Sequence, residues 1–169
     1  MKVTGYQLRE AIRRHELRRD AAATQFNESL WRFEDEDKIS PDDLHTLFVE
    51  AEKTIGVLQV GQMRYNRAVA LNVTGEKMTL AEGVKRIGGA GRIEKMWRES
   101  VGKKDRYGRD PSDRTRSSDT QHVVRALSVK ECMDRTSRTA KFAGALRAAI
   151  AEANSREVEV EGLDPSLFE

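Results

Sequence analysis

Three constellations in this chain have residue types and spacing that can do chemistry. Gly88, Gly89 and Gly91 fall within "KRIGGAGRIEKMWRES", residues 85–100, with Arg92 and Lys95 just behind them. Glycine in a helix interior costs roughly 1 kcal/mol relative to alanine, so the cluster has two readings. If the helix breaks there, Arg92 and Lys95 fall in the first turn of a new helix, whose free N–H groups and positive dipole end favour an anion. If it does not break, the glycines let a neighbouring helix approach closely. The stretch is neither a P-loop nor a Rossmann fingerprint: it lacks Gly-Lys-Ser/Thr and comes after no buried strand.

The second constellation is "LQVGQMRYNRAV", residues 58–69. Gln62, Tyr65 and Asn66 recur at helical spacing, and Gln62 and Tyr65 take positions where a plain bundle would carry leucine. A buried amide has up to four hydrogen bonds to satisfy. Each residue alone reads as a register-fixing polar contact. Together with His15 and Arg19 on the preceding helix, they predict a polar cavity or a wet interface. The third constellation, "KECMDRTSRTAK" (130–141), places Lys130, Arg138 and Lys141 toward one side of a helix, a pattern that by itself is a solvated face.

Other chemistries find little support. His15, His45 and His122 lie on separate segments without HExxH, CxxC or Glu-x-x-His spacing, so no metal and no cofactor is expected. Cys132, the single cysteine, reads as a packing residue. No serine triad is evident, and no catalytic residue is assigned.

Charge is unevenly spread although the net is only +2. Residues 28–52 hold nine acids against two bases, residues 64–116 fourteen bases against seven acids, and the last eighteen residues six acids against one base. Blocks of alternating sign favour pairing within the fold or between copies of it, so a homo-oligomer is expected. No apolar run approaches the ~20 residues of a membrane span, and the amphipathic, charged start is no secretory signal. A cytoplasmic location without membrane partner is expected. Sequence-specific nucleic-acid binding is not, because no recognition motif is present.

Four helix starts are written in the chain: Thr4 with Gln7, Ser40 with Pro41 and Asp43, Thr79 with Glu82, and Ser128 with Glu131. Heptad spacing carries the first helix from about Thr4 to Glu34 and the second from Leu44 to about Leu71, each spanning ~45 Å at 1.5 Å per residue. The third starts at Thr79 and meets the glycines. The fourth runs from about Val129 to Ala153 with Asn154 as C-cap. The expected fold is all-α, an antiparallel four-helix bundle in one domain, 1–169, with two long N-terminal hairpin helices. Minor β-like pieces flank Gly75 and occupy 156–160. Residues 102–119 read as a mobile basic loop. Residues 156–169 form an apolar tail, with Leu163, Leu167 and Phe168, that docks on its own bundle or on a neighbouring copy.

The stretches "LREAIRRHELRRDAA", "AEKTIGVLQVGQMRYNRAVAL", "GEKMTLAEGVKRIGGAGRIEKMWR", "LRAAIAEANSREVEV" and "GLDPSLFE" resemble the septicolysin-like small proteins of bacteria and phages. The resemblance covers most of the chain outside 102–119. It implies an α-helical protein and carries no established catalytic residues. The name suggests a haemolysin, but this chain lacks the apolar or strongly amphipathic segments that activity needs. The family's genomic setting suggests that, in a phage, such a protein sequesters a host immune nucleotide signal.

The leading expectation is a non-enzymatic binding protein for a small anionic, nucleotide-like ligand. Gly88, Gly89, Gly91, Arg92 and Lys95 would hold phosphate, and Gln62, Tyr65 and Asn66 would read polar edges, with Arg19 and His15 nearby. The alternative is a protein-interaction or scaffold module in which the polar seams and glycines serve oligomer packing. A hydrolase or transferase acting on the same ligand is a third reading.

Overall fold

The computed structural model describes residues 1–31, 36, 38–103 and 125–168. The protein is mostly helical, with two small antiparallel sheets. In chain order the elements are β1 (Lys2–Val3), α1 (Gly5–Ser29), α2 (Pro41–Ala68), β2 (Ala70–Val73), β3 (Glu76–Thr79), α3 (Leu80–Val101), α4 (Val129–Ser155), β4 (Val158–Glu159) and a 3₁₀ turn, Pro165–Phe168.

Every helix starts where its cap residue predicts. Thr4, Thr79 and Ser128 each accept from the backbone N–H three residues on, and Gln7, Glu82 and Glu131 reach back to the cap N–H, closing three capping boxes. Ser40 accepts from Asp43 N–H, with Pro41 pre-set at the first helical position. These contacts satisfy orphan N–H groups that every helix start leaves.

The helix ends depart from expectation. α1 stops at Ser29, with Leu30 as its cap, and the predicted continuation over 32–34 lies outside the described residues. α2 stops at Ala68, because Val69 turns extended (φ −85°, ψ 123°) and Leu71 enters a strand. Asn154 is not a cap: it is the penultimate residue of α4, buried, and donates to Ile150 O at 2.7 Å, while Arg156 caps the helix. The predicted basic loop from 104 onward also lies outside the described residues.

β2 and β3 form a hairpin in which Val73 pairs Glu76 and Ala70 pairs Thr79. Its two central residues, Thr74 and Gly75, both have positive φ (51° and 90°), the pattern of a type I′ turn. Leu80 N–H then donates to Val69 O at 2.8 Å, fixing the start of α3 to the end of α2. β1 pairs β4, so the N-terminus and the segment after α4 close on each other.

α1 packs along α2, and α3 along α4. One core joins the two pairs at their roots: Val3, Leu8 and Ile12 meet Leu58 and Tyr65, the hairpin's Leu71, Val73 and Met78, and Leu146 and Ala153 of α4. Beyond these roots, residues between His15 and Gln25 line a groove with residues between Leu44 and Thr54, and Arg135 stacks on Trp97; these outer parts of the two pairs are the arms. The tail closes on its own core. Leu163 packs against Gly61, where a Cβ would come within 2.7 Å of it, and Leu167 and Phe168 pack on the same cluster.

Candidate functional site

α3 runs through Gly88, Gly89 and Gly91 without a break, and the described glycines with positive φ are Gly75 and Gly162. The backbone N–H groups at 88–91 are therefore spent on helix hydrogen bonds, and the predicted cradle of free donors is absent. The helix persists because its capped start and its packing, with Leu80 and Ala90 buried in the core and Ile87 against it, offset the glycine cost, and ion pairs add to this. Glu94–Arg98 and Lys95–Glu99 pair along it at 3.7 Å each, and Arg147 of α4 reaches Glu94 at 3.5 Å.

Close helix packing does not explain these glycines either. A Cβ at Gly89 would meet nothing within 4 Å, one at Gly88 only its own helix's Arg92 side chain, and one at Gly91 only the tip of Arg147 at 3.9 Å. Close approach occurs instead at Gly83, where a Cβ would come within 2.5 Å of Leu71 Cδ1. It occurs also at Gly5, which faces Asn154 and the Tyr65 ring.

The polar residues of the first three helices do not converge on one cavity. Tyr65 is fully buried, and its hydroxyl lies 2.6 Å from Ala153 O and 2.8 Å from Arg156 O, saturated by backbone. Burial pushes this phenol above its ordinary pKa, partly offset by a bond to Gly5 backbone. It is a tie between α1, α2 and the end of α4, and no ligand can reach it. His15 is buried, and its Nε2 donates to Leu167 O at 3.1 Å, holding the tail. Arg19 is committed to Asp20 at 2.7 Å and Glu52 at 3.1 Å. The Asp20 carboxylate, with Glu52, holds the Arg19 pKa above its usual value. Gln62 and Asn66 are half-buried, and no buried side-chain polar atom among the described residues lacks a partner.

Arg92 and Lys95 do share a site, in company that the sequence motifs do not single out. They line an open groove of about 330 Å³ on the outer half of α3 with Met96, Glu99, Ser100 and Lys103. The spacing of the first three is helical: residues 92, 96 and 99 lie within about 60° of one another around the axis at 3.6 residues per turn, and Lys103 follows just past the C-cap Gly102. That periodicity is readable once the helix is continued past the glycines. Arg92 is exposed and has no carboxylate partner among the described residues. Lys95 and Glu99 are both well exposed at 3.7 Å, so solvent screens their pairing and an incoming anion competes with it readily.

Behind the groove the packing is tight. Ser100 Oγ donates to Trp97 O at 2.6 Å, and Arg125 donates to Ser100 O and lies 3.5 Å from Cys132 Sγ. The Ser100 hydroxyl and the Arg125 guanidinium hold the Cys132 thiol below its ordinary pKa, against the effect of burial. Arg135 stacks over Trp97 at 4.7 Å, so that ring face already has its cation. The groups that this groove offers an anion are thus side chains. It sits toward the C-terminal end of α3, where the helix dipole favours cations rather than anions.

A second groove, about 370 Å³, runs between α1 and α2. Its floor is Ala21, Ala22, Leu44, Leu47 and Ala51, and Arg18 and Glu50 stand on its walls. No group of three or more histidine, cysteine or acidic residues among the described residues is placed to hold a metal. No described helix is long and apolar enough to cross a membrane.

No family model and no curated protein matches the chain. A solved structure does: the crystal structure of a functionally unknown conserved protein from Corynebacterium diphtheriae, at a TM-score of 0.63 and 14% identity, covering 94% of this chain and all of that one. At that identity the likeness bears on the fold alone.

Proposed function

We propose that this is a non-enzymatic binding protein that sequesters a small anionic, nucleotide-like ligand, and that the ligand lies in the α3 groove against Arg92, Lys95, Ser100 and Lys103. The reading includes an antiparallel four-helix bundle. Gly5 lies against Tyr65 while Arg19 bonds Glu52, and Gly83 lies against Leu146 while Arg135 covers Trp97, which supports opposite helix directions within each pair. It also includes self-association in a cytoplasmic setting, in keeping with the septicolysin-like resemblance and its phage context. The observation that carries the reading is the groove itself: three cations line it beside Ser100, one of the cations, Arg92, without a carboxylate partner among the described residues.

A thermal-shift screen of the full chain against cyclic and linear nucleotides tests it. A ligand that binds only the folded state must raise the melting temperature. The expected result is a rise with a phosphate-bearing ligand that disappears in Arg92→Ala, and no stabilisation by any of them at saturation would sink the proposal. Product appearing after prolonged mixing would assign turnover instead.

A second reading, an interaction module, is favoured by apolar side chains left open on the same arm: Ile93, Met96 and Met133 are each more than half exposed. On that reading Arg92→Ala changes assembly or nothing, and leaves no small-molecule binding to lose.

A further inference from the structure

The two arms carry opposite charge and do not neutralise each other. The outer α3–α4 arm, residues 92–103 and 125–147, holds ten bases against four acids, and the outer part of the α1–α2 arm, residues 15–29 and 41–55, seven acids against three bases. The ion pairs of Arg19, Lys38, Arg86, Lys95, Arg98, Arg147 and Arg156 each stay within their own helix pair and its adjoining segments. The acidic arm also carries the apolar groove between α1 and α2, floored by Ala22, Leu44, Leu47 and Ala51 and walled by Glu50 and Arg18. The basic arm presents the outer face of α4, where Lys130, Met133 and Lys141 lie within about 80° of one another at 3.6 residues per turn. Arg138 flanks this face, and Asp134 is its one acid.

We infer that a second copy of this chain docks the outer face of its α4 into the α1–α2 groove. Met133, 56% exposed, is the apolar anchor, and the groove floor supplies its socket. Lys130 and Lys141 stand about 16 Å apart along their helix, and Asp43 and Glu50, on the groove side of α2, about 10 Å apart along theirs, at 1.5 Å per residue. Long lysine side chains span that difference. A helix laid along a hydrophobic groove with charged rims is a standard mode of helix recognition, and the acidic α2 rim, opposite in charge to the two lysines, selects the partner and its register, with Asp134 as the acid available to Arg18 on the α1 rim. The second copy fits because it supplies both halves of the pairing, groove and helix face. This contact lies on α4 and α2, away from the α3 groove, so it stands or falls independently of ligand binding there.

Sedimentation velocity of the full chain at tens of micromolar reads the result. The expected outcome is a mass above that of the monomer that diminishes between about 0.05 M and about 0.5 M salt, as the screening length shortens. Lys130→Glu with Lys141→Glu abolishes it, Glu50→Lys weakens it about tenfold, and mixing those two variants restores a mixed complex. Arg92→Ala leaves it unchanged. An unchanged thermal unfolding profile for each variant excludes misfolding as the cause. A wild-type chain that stays monomeric in low salt overturns the inference. So does an assembly indifferent to both charge reversals, or a mixture that fails to reassociate.

Discussion

Gly89 and Tyr65 lie at opposite extremes of what a side chain does here. A methyl added at Gly89 meets nothing, and the helix is continuous there. Gly89→Ala is therefore expected to stabilise the protein by up to ~1 kcal/mol, read by chemical denaturation, with ligand binding unchanged. Gly83→Ala should do the opposite, because the new methyl must displace Leu71. Equal effects at the two sites would contradict this placement of the glycines. Tyr65→Phe leaves two interior carbonyls without their hydroxyl partner, and a loss of ~1–3 kcal/mol is expected. Were Tyr65 a ligand contact, the variant would instead keep its stability and lose binding. The sequence makes the type of these residues plain but not their role. Gln62, Tyr65 and Asn66 share one pattern, and only Tyr65 is buried. Heptad spacing puts position 62 on the seam, yet burial shifts to Gly61 because the tail brings Leu163 onto it. A partner about a hundred residues away sets which neighbour goes inside, and helical periodicity contains no term for it.

Helix starts, by contrast, are local chemistry, and all four are legible. A hydroxyl and the group three residues later suffice to fix each one. Helix ends depend on the neighbouring element: α2 ends where the next strand must pair, and α4 ends only after Asn154 has bonded back into its own helix. The boxes also predict an acid response. The cap backbone N–H, then its hydroxyl, hold the Glu82 and Glu131 carboxylates below the usual glutamate value of 4.5. The unfolded chain therefore binds more protons in acid. The contribution of these two groups is complete above that usual value and is lost as pH falls through the lower folded values. Replacing both with glutamine is expected to flatten the fall of melting temperature with pH below about 4.5. An acid limb identical to that of the wild type would refute the assignment. Thr79→Ala, which removes a cap outright, is expected to cost ~1 kcal/mol at neutral pH, measured by denaturant midpoint.

At the scale of the molecule, the helical class and the short β pieces at Gly75 and after α4 are legible from pattern and turn chemistry. The candidate site is legible only in part. Arg92 and Lys95 remain together, but beside them stand Ser100, its hydroxyl already donated to Trp97 O, and Lys103, in place of glycine N–H groups and the α2 amides. The difference comes from the ligand reading's condition that the helix breaks at the glycines: in an unbroken α3 their N–H groups are spent, while Arg92 and Lys95 keep their places. A helix anchored at Thr79, tied to α4 through Arg147–Glu94 and packed through Ala90 tolerates glycines whose cost is spread along its length. What the whole fold adds is separation: the His15, Tyr65 and Arg19 side chains hold the roots and the acidic arm, while the basic arm is left open.

The central claim is that this open face binds an anion through side chains alone. Isothermal titration of the full chain with cyclic and linear nucleotides, beside Arg92→Ala/Lys95→Ala, tests it most directly. Saturable binding by a phosphate-bearing ligand is expected, weakened tenfold or more in the double variant and falling with added salt, with folding stability unchanged. Binding that persists undiminished in the double variant, or no binding heat from any nucleotide, would contradict it.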